Sequence, residues 1–262
     1  MRINTKSVFI GFLALLLSKE YIQADSHSNK DLSIASKSNI QTVVAQSNRS
    51  EPDRKRDNQS QPVDILHFAG LGEGMTVWDI LGGGGYYSEI VAQVVGTSGR
   101  VYLQNNTAYL GFLGSQVEER LLNNRLPNVR HLVEEVETIS LPTDSVDLAL
   151  MIKTYHDLYW SAEGWQRDPD AFLQSVFRVL KPNGILLVVD HAAEDGTGKN
   201  SAQELPRIEP QWAQDDIERR GFVFEGSLDT LRNRNDDYSL NVFDPSVLGS
   251  TDRFVYKFRK PQ

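Results

Sequence analysis

The stretch Met75-Thr76-Val77-Trp78-Asp79-Ile80-Leu81-Gly82-Gly83-Gly84-Gly85-Tyr86 decides how the rest of this 262-residue chain is read. Residues 75–80 are a short apolar run, and residues 86–95 repeat their apolar positions at helical spacing. Between them stand four glycines. A strand that runs through a glycine turn into a helix opens a βα unit. In open α/β sheets, ligands bind beyond the carboxyl ends of such strands. Glycine lets a ligand approach the backbone with no Cβ in the way, and the start of the following helix offers free N–H groups. A tight connection needs fewer than four glycines, so the turn is expected to hold a ligand. The dinucleotide fingerprint Gly-x-Gly-x-x-Gly fails in both registers, with Tyr87 or Ser88 where its third glycine belongs. No Gly-Lys-Ser/Thr follows, which removes a phosphate-binding P-loop.

Downstream the alternation continues. Strands are expected at 100–104, 129–133, 146–152, 185–189, 222–225 and 252–258, and helices at 107–124, 169–180 and 210–220. The nearly continuous apolar run 146–152 suits the buried centre of a parallel sheet. Lys181-Pro182-Asn183-Gly184 is a strong helix stop. Strands separated by helices imply βαβ units, whereas only a loop joins the last two strands. The expected fold is therefore α/β: a doubly wound, Rossmann-like, mostly parallel seven-stranded sheet with an antiparallel last strand. No internal repeat is visible.

Upstream, Pro62 opens a short helix over 63–69. Before residue 61 the composition changes. Arg2 and Lys6 precede an apolar run of ten residues, 8–17, and a polar stretch then reaches Ala24. A helix needs about 20 apolar residues to span a bilayer, so this is the layout of a secretory signal peptide. The expectation is a signal peptide over 1–24, a periplasmic or secreted location, and no stable membrane insertion after cleavage. An uncleaved anchor is the alternative. Residues 25–60 are polar and hold few large apolar groups, so they are expected to form a disordered leader. Within it the run Asp53-Arg54-Lys55-Arg56-Asp57 reads as a solvated patch, with a charged cap over a cofactor site as the sharper alternative. Residues 61–262 are left as the working domain.

The formal charge is −8, from 35 acidic and 27 basic side chains, and loss of residues 1–24 takes it to −10. With no basic stripe, this balance argues against a nucleic-acid partner. The absence of cysteine excludes disulfides, thiolate metal sites, iron–sulfur clusters and a cysteine nucleophile.

Further motifs stand in order behind the glycine turn. They are Tyr155-His156-Asp157-Leu158-Tyr159-Trp160, Leu180-Lys181-Pro182-Asn183-Gly184 with Asp190-His191, Leu231-Arg232-Asn233, Val242-Phe243-Asp244-Pro245 and Thr251-Asp252-Arg253-Phe254. With this set the chain, over roughly residues 50–262, resembles the class I S-adenosylmethionine-dependent methyltransferases. More narrowly, it is similar to a subgroup of predicted bacterial methyltransferases that often carry signal peptides. The resemblance implies S-adenosyl-L-methionine as cofactor and methyl transfer to a small-molecule acceptor. It implies that Asp79 orders the glycine loop, and that Gly83, Gly84 and Gly85 admit the methionine part of the cofactor. Leu81 stands where the family usually has its first loop glycine. Asn105 stands where the family commonly has the Asp or Glu that accepts the ribose diol, and an amide carbonyl can accept there without bringing charge. Glu135 corresponds to the acidic residue near the adenine amine, with Glu134 as an equal neighbour.

Methyl transfer from a sulfonium requires chiefly alignment of the nucleophile with the methyl group, and some acceptors also need a base. Histidine can serve as that base near neutral pH. His156 is the candidate, with Asp157 to orient it, and His191 is the candidate for substrate contact. A divalent metal held by Asp157, Asp190, His156 and His191 is the minor reading; the chain is expected to hold none. Arg207, Trp212, Arg232 and Asn233 follow the fifth and sixth strands, where an acceptor pocket would lie, although packing or surface roles are favoured for them. Two other whole-protein readings remain. One is a binding module that keeps the pocket without catalysis. The other is an NAD(P)-dependent oxidoreductase, disfavoured by the missing third glycine.

Overall fold

In a computed structural model of the chain, residues 33–262 are described. The expected signal peptide, and the leader as far as residue 32, lie outside the described residues. The elements in chain order are α1 (Lys37–Val44), α2 (Glu51–Ser60), α3 (Pro62–Phe68), β1 (Thr76–Ile80), α4 (Tyr86–Val95), β2 (Arg100–Asn105), α5 (Thr107–Leu110), α6 (Gln116–Leu121), β3 (Val129–Val133), β4 (Val146–Ile152), α7 (Pro169–Val179), β5 (Leu180–His191), α8 (Pro210–Glu218), β6 (Val223–Ser227) and β7 (Arg253–Arg259).

The seven strands form one sheet in the order β3-β2-β1-β4-β5-β7-β6. The first five run parallel, and β7 is antiparallel to both β5 and β6. Side chains on a strand alternate between faces, and the core divides accordingly. Trp78, Ile80, Ala149, Met151, Leu186 and Val188 face α7 and α8. Val77, Leu148, Leu150, Leu187 and Val189 face α1, α3 and α4. Helices thus cover both faces, which explains why β4 and β5 read as unbroken apolar runs. The order reverses between β1 and β4, so the carboxyl ends of these two neighbours open a crevice between diverging connections.

The structure corrects three expectations. Residues 37–44 and 51–60 of the expected leader are helices. Ile40 and Val44 of α1 are buried in the core, and Ser36 caps that helix by accepting from Asn39 N. The almost wholly polar α2 is anchored by ion pairs instead: buried Arg49 grips Asp57 with two hydrogen bonds of 2.7 and 2.9 Å, and Asp53 meets Arg120 at 2.8 Å. The single helix expected over 107–124 is broken into α5 and α6, with Gly114 at φ 53° between them and Asn123 and Asn124 at φ 56° and 54° behind them. The fifth strand begins at Leu180 rather than 185. Val146 pairs with Leu180 and Leu148 with Ile185, so Lys181–Gly184 forms a bulge within the strand.

Candidate active site

Asp79, Leu81 and Gly82–Gly84 stand at the carboxyl end of β1, and Lys153, His156 and Asp157 follow β4. Together with His191 at the end of β5, they line one cleft of about 750 Å³. Its aromatic walls come from Tyr86, Tyr87, Tyr109, Trp160 and Trp165, and Phe112 and Phe243 stand at the rim. This volume suits a small-molecule site.

The glycine loop is held open by its neighbours. Gln104 Oε1 accepts from Leu81 N at 3.0 Å, and Leu81 takes the left-handed φ of 49° that a glycine would adopt more readily. Asn105 accepts from Gly83 N at 3.0 Å through Oδ1 and donates to Gly83 O at 3.1 Å through Nδ2. Arg120 Nε donates to Gly84 O and its guanidinium pairs with Glu89 and Asp53, tying α6, α4 and α2 to the loop. A Cβ on Gly82 would stand 2.6 Å from the Asp79 carboxylate, and one on Gly84 would stand 2.5 Å from Gln116 Oε1. At Gly83 (φ 59°) the space is open, with Leu113 nearest at 3.8 Å. The loop therefore presents bare backbone to the cleft. Asp79 is buried, which pushes its carboxyl up to about 6 against the hydrogen bond of 2.7 Å that Ser88 donates to it.

Among the residues expected to bind the cofactor, Asp79, Gly83 and Gly84 line the cleft, whereas Gly85, Asn105 and Glu135 do not. Gly85 (φ 78°) is the N-cap of α4. Asn105 is fully buried with both ends of its amide engaged by Gly83, so it shapes the loop and has no free carbonyl aimed at a ribose. Glu135 pairs with Arg167 and accepts from Asn106 Nδ2 at 3.0 Å.

The catalytic candidates form a buried charge cluster. His156 Nδ1 donates to Asp190 Oδ1 at 2.7 Å, and the other oxygen of Asp190 accepts from His156 N at 2.8 Å. Asp157 Oδ1 lies 3.3 Å from Nε2. The expected orienting role of Asp157 thus passes to Asp190, which β5 brings alongside and which holds both ring and backbone. Burial opposes a charge on His156, but Asp190 and Asp157 overcome it and raise the imidazole to about 9. Burial also raises Asp157 to about 6, with His156 pulling the other way. His191 turns Nδ1 to Thr251 Oγ1 at 2.7 Å. Burial, followed by the nearby charge of His156, drives its pKa well below the ordinary value. The two rings lie 6.2 Å apart, one charged and one neutral near neutral pH.

Lys153 went unassigned in the sequence because nothing but its place after β4 marks it. It lines the cleft with a left-handed φ of 61°, and burial followed by the charges of Arg56 and Arg253 lowers its amine to about 8. Arg207, Trp212, Arg232 and Asn233 are not among the lining residues. Arg207 is fully buried against Asp236 at 2.8 Å, and Arg232 meets Asp252 at 2.8 Å. The segments after β5 and β6 contribute Gln203, Glu204, Pro206 and residues 241–243 to the lining instead. Among the described residues, no group of three or more His, Asp or Glu side chains is placed to hold a metal ion.

Comparison with known proteins places this geometry. The methyltransferase domain family matches residues 78–188. A ubiquinone/menaquinone biosynthesis C-methyltransferase of Hydrogenovibrio crunogenus is 27% identical over 126 residues, covering 48% of this chain and 45% of that one. Its counterpart in Legionella pneumophila (strain Corby) is 30% identical over 118 residues, covering 45% and 43%. The chain therefore spans less than half the length of these relatives. Among solved structures, a SAM-dependent methyltransferase from Aquifex aeolicus superposes with TM-score 0.58 at 22% identity, covering 86% of this chain and 99% of that one. Geranyl diphosphate C-methyltransferase from Streptomyces coelicolor A3(2) also gives 0.58, at 12% identity, covering 83% and 88%. These likenesses show that the fold is that of the solved SAM-dependent methyltransferase.

Proposed function

We propose that this chain, whose residues 78–188 match a methyltransferase domain, transfers a methyl group from S-adenosyl-L-methionine to a small-molecule acceptor. One observation carries the reading: the bare backbone of the glycine loop and the His156–Asp190 pair open onto the same cleft. The residues present fit the cofactor. Gly83 leaves open space where a side chain would stand, and Asp79 supplies a buried carboxylate beside it. Asp79, Gly83 and Gly84 would hold the cofactor, with Asn105 and Gly85 setting the loop behind them and Glu135 acting through Arg167 and Asn106. When bound, the cofactor supplies an activated methyl group on a sulfonium.

The chain's own residues then do the rest. The aromatic walls exclude water and orient the acceptor. His156, in its neutral form, takes a proton from the attacking atom through Nε2, while Asp190 fixes the ring through Nδ1. His191 remains neutral and presents a polar surface to the substrate. Among the described residues no helix is long and apolar enough to cross a membrane. Arg2, Lys6, the apolar run and Ala24 support a leader that exports the chain to the periplasm or beyond.

Calorimetric titration with S-adenosylmethionine, S-adenosylhomocysteine and NADH tests the site. Micromolar binding of the first two alone is expected. Binding of NADH alone would replace this reading with the oxidoreductase one. Fractionation of cells expressing the full chain, with N-terminal sequencing of the product, tests export, and an unprocessed cytoplasmic product would overturn it.

A further inference from the structure

Among the described residues, the cleft holds cations that pair with no carboxylate. Lys153 and Arg56 line it, and Arg253 lies close enough to act electrostatically on Lys153. Lys153 Nζ has no hydrogen-bond partner among the described residues. Arg56 stacks its guanidinium 4.2 Å from the centre of the Tyr86 ring and, among the described residues, hydrogen-bonds only to Ser60 Oγ, at 3.4 Å. Arg253 donates to two backbone carbonyls, of Thr251 and Gly249, both at 3.3 Å. None of the three forms an ion pair with a carboxylate among the described residues.

The acids nearby, other than the exposed Glu204, are already engaged. Asp190 belongs to His156, Asp53 to Arg120, Asp57 to Arg49 and Asp252 to Arg232. Asp157 shares His156, and Asp79 accepts from Ser88. Like charges gathered in a partly buried wall oppose one another, and an arriving anion relieves that opposition. Burial first, and then the charges of Arg56 and Arg253, depress the amine of Lys153. Flat aromatic side chains, Tyr109, Trp160 and Trp165, line the same cleft.

We infer that the methyl acceptor is a small aromatic molecule bearing a carboxylate or phosphate, and that this anion is seated against Lys153 and Arg56. The inference rests on the cleft being a methyl-transfer site and names the class of molecule that it takes.

The test uses the full chain saturated with S-adenosylhomocysteine, titrated calorimetrically with benzoate, phenyl phosphate and benzamide. Both anions are expected to bind, with benzamide weaker by about tenfold or more, the worth of a charge-assisted hydrogen bond. Lys153→Met and Arg56→Met are each expected to weaken benzoate by about tenfold while the affinity for S-adenosylhomocysteine stays within about twofold. Lys153→Arg should retain benzoate. Thermal unfolding of each variant checks that it is folded, and Arg56→Met carries the test if Lys153→Met is not.

Equal binding of benzamide and benzoate, or no binding of either anion, overturns the inference. So does a loss of S-adenosylhomocysteine affinity matching the loss of benzoate, which would give these cations to the cofactor's own carboxylate. If the wild-type chain fails to bind S-adenosylhomocysteine, the methyl-transfer reading falls instead. The benzoate-to-benzamide ratio, measured without it, still tests the cationic wall.

Discussion

His156 holds its proton to about pH 9 because two carboxylates outweigh its burial. A base must be neutral to accept a proton, so the rate of methyl transfer is expected to climb with pH towards 9. Asp190→Asn removes the nearer negative charge and should move that climb to lower pH, a shift read from the pH–rate profile. An unmoved profile would separate His156 from the reaction. His156→Gln should cut turnover by about 10²- to 10⁴-fold with cofactor affinity retained, the usual range for a lost general base. The same pair affects stability. The folded-state pKa lies above the unfolded value near 6.5, so the contribution of His156 is fully present below that pH and is lost as pH rises through about 9. Melting curves of wild type and His156→Asn across this window should converge towards the alkaline end. The sequence showed His156 plainly, as a histidine in an aromatic loop after a strand. It did not show its partner, because Asp157 is adjacent in the chain whereas Asp190 arrives only through the pairing of β4 with β5. Lys153 was illegible for a related reason: its pKa comes from burial and from Arg56 and Arg253, neither of which is close to it in the chain.

At the scale of elements, the glycine loop is fixed by contact as much as by backbone freedom. Gly82 needs no left-handed φ; it is glycine because Asp79 and Leu103 leave no room for a Cβ. Gly82→Ala is therefore expected to destabilise the protein by about 1–3 kcal/mol, as overpacking does, and to weaken cofactor binding. Urea unfolding and calorimetry measure the two effects. The turn was legible because four glycines after an apolar strand exceed what a tight strand-to-helix connection needs. The first two helices before it, α1 and α2, were not. Hydropathy marks a helix by its apolar face, and α2 has almost none; its anchorage lies in the pairing of Arg49 with Asp57 and of Asp53 with Arg120. Within the run 53–57, Asp53 and Arg56 line the cleft while Arg54 and Lys55 are exposed to solvent. Arg49→Met leaves Asp57 with Tyr86 as its remaining partner, and should cost about 3 kcal/mol, the usual penalty for breaking a buried pair. A denaturation midpoint equal to that of wild type would show that the pairing does not anchor α2.

Across the whole molecule, the mostly parallel seven-stranded sheet followed from the alternation of apolar runs with helices, and its antiparallel end from a missing helix, whereas the order of the strands came from the structure. What the alternation could not give was which loops return to the cleft. β7 lies between β5 and β6, pairing with both. A chain ending at residue 251 would leave β6 without a partner and β5 with an apolar edge. It is expected to lose its cooperative thermal transition, as followed by circular dichroism; a sharp transition in that truncation would show that the first five strands fold alone. The segment between β6 and β7 is rooted by Arg207, which bonds to Asp236, Ala192 O and Leu240 O, and by Asp252, which accepts from Arg232, Asn233 and Tyr238. Its outer part, residues 241–243, reaches the mouth of the cleft, with Phe243 largely in solvent. An exchange at exposed Phe243 disturbs no core packing, whereas Val242 beside it is buried. On the proposed function, descendants of this chain can trade one acceptor for another by drift at such exposed rim positions, with the sheet and the glycine loop inherited intact.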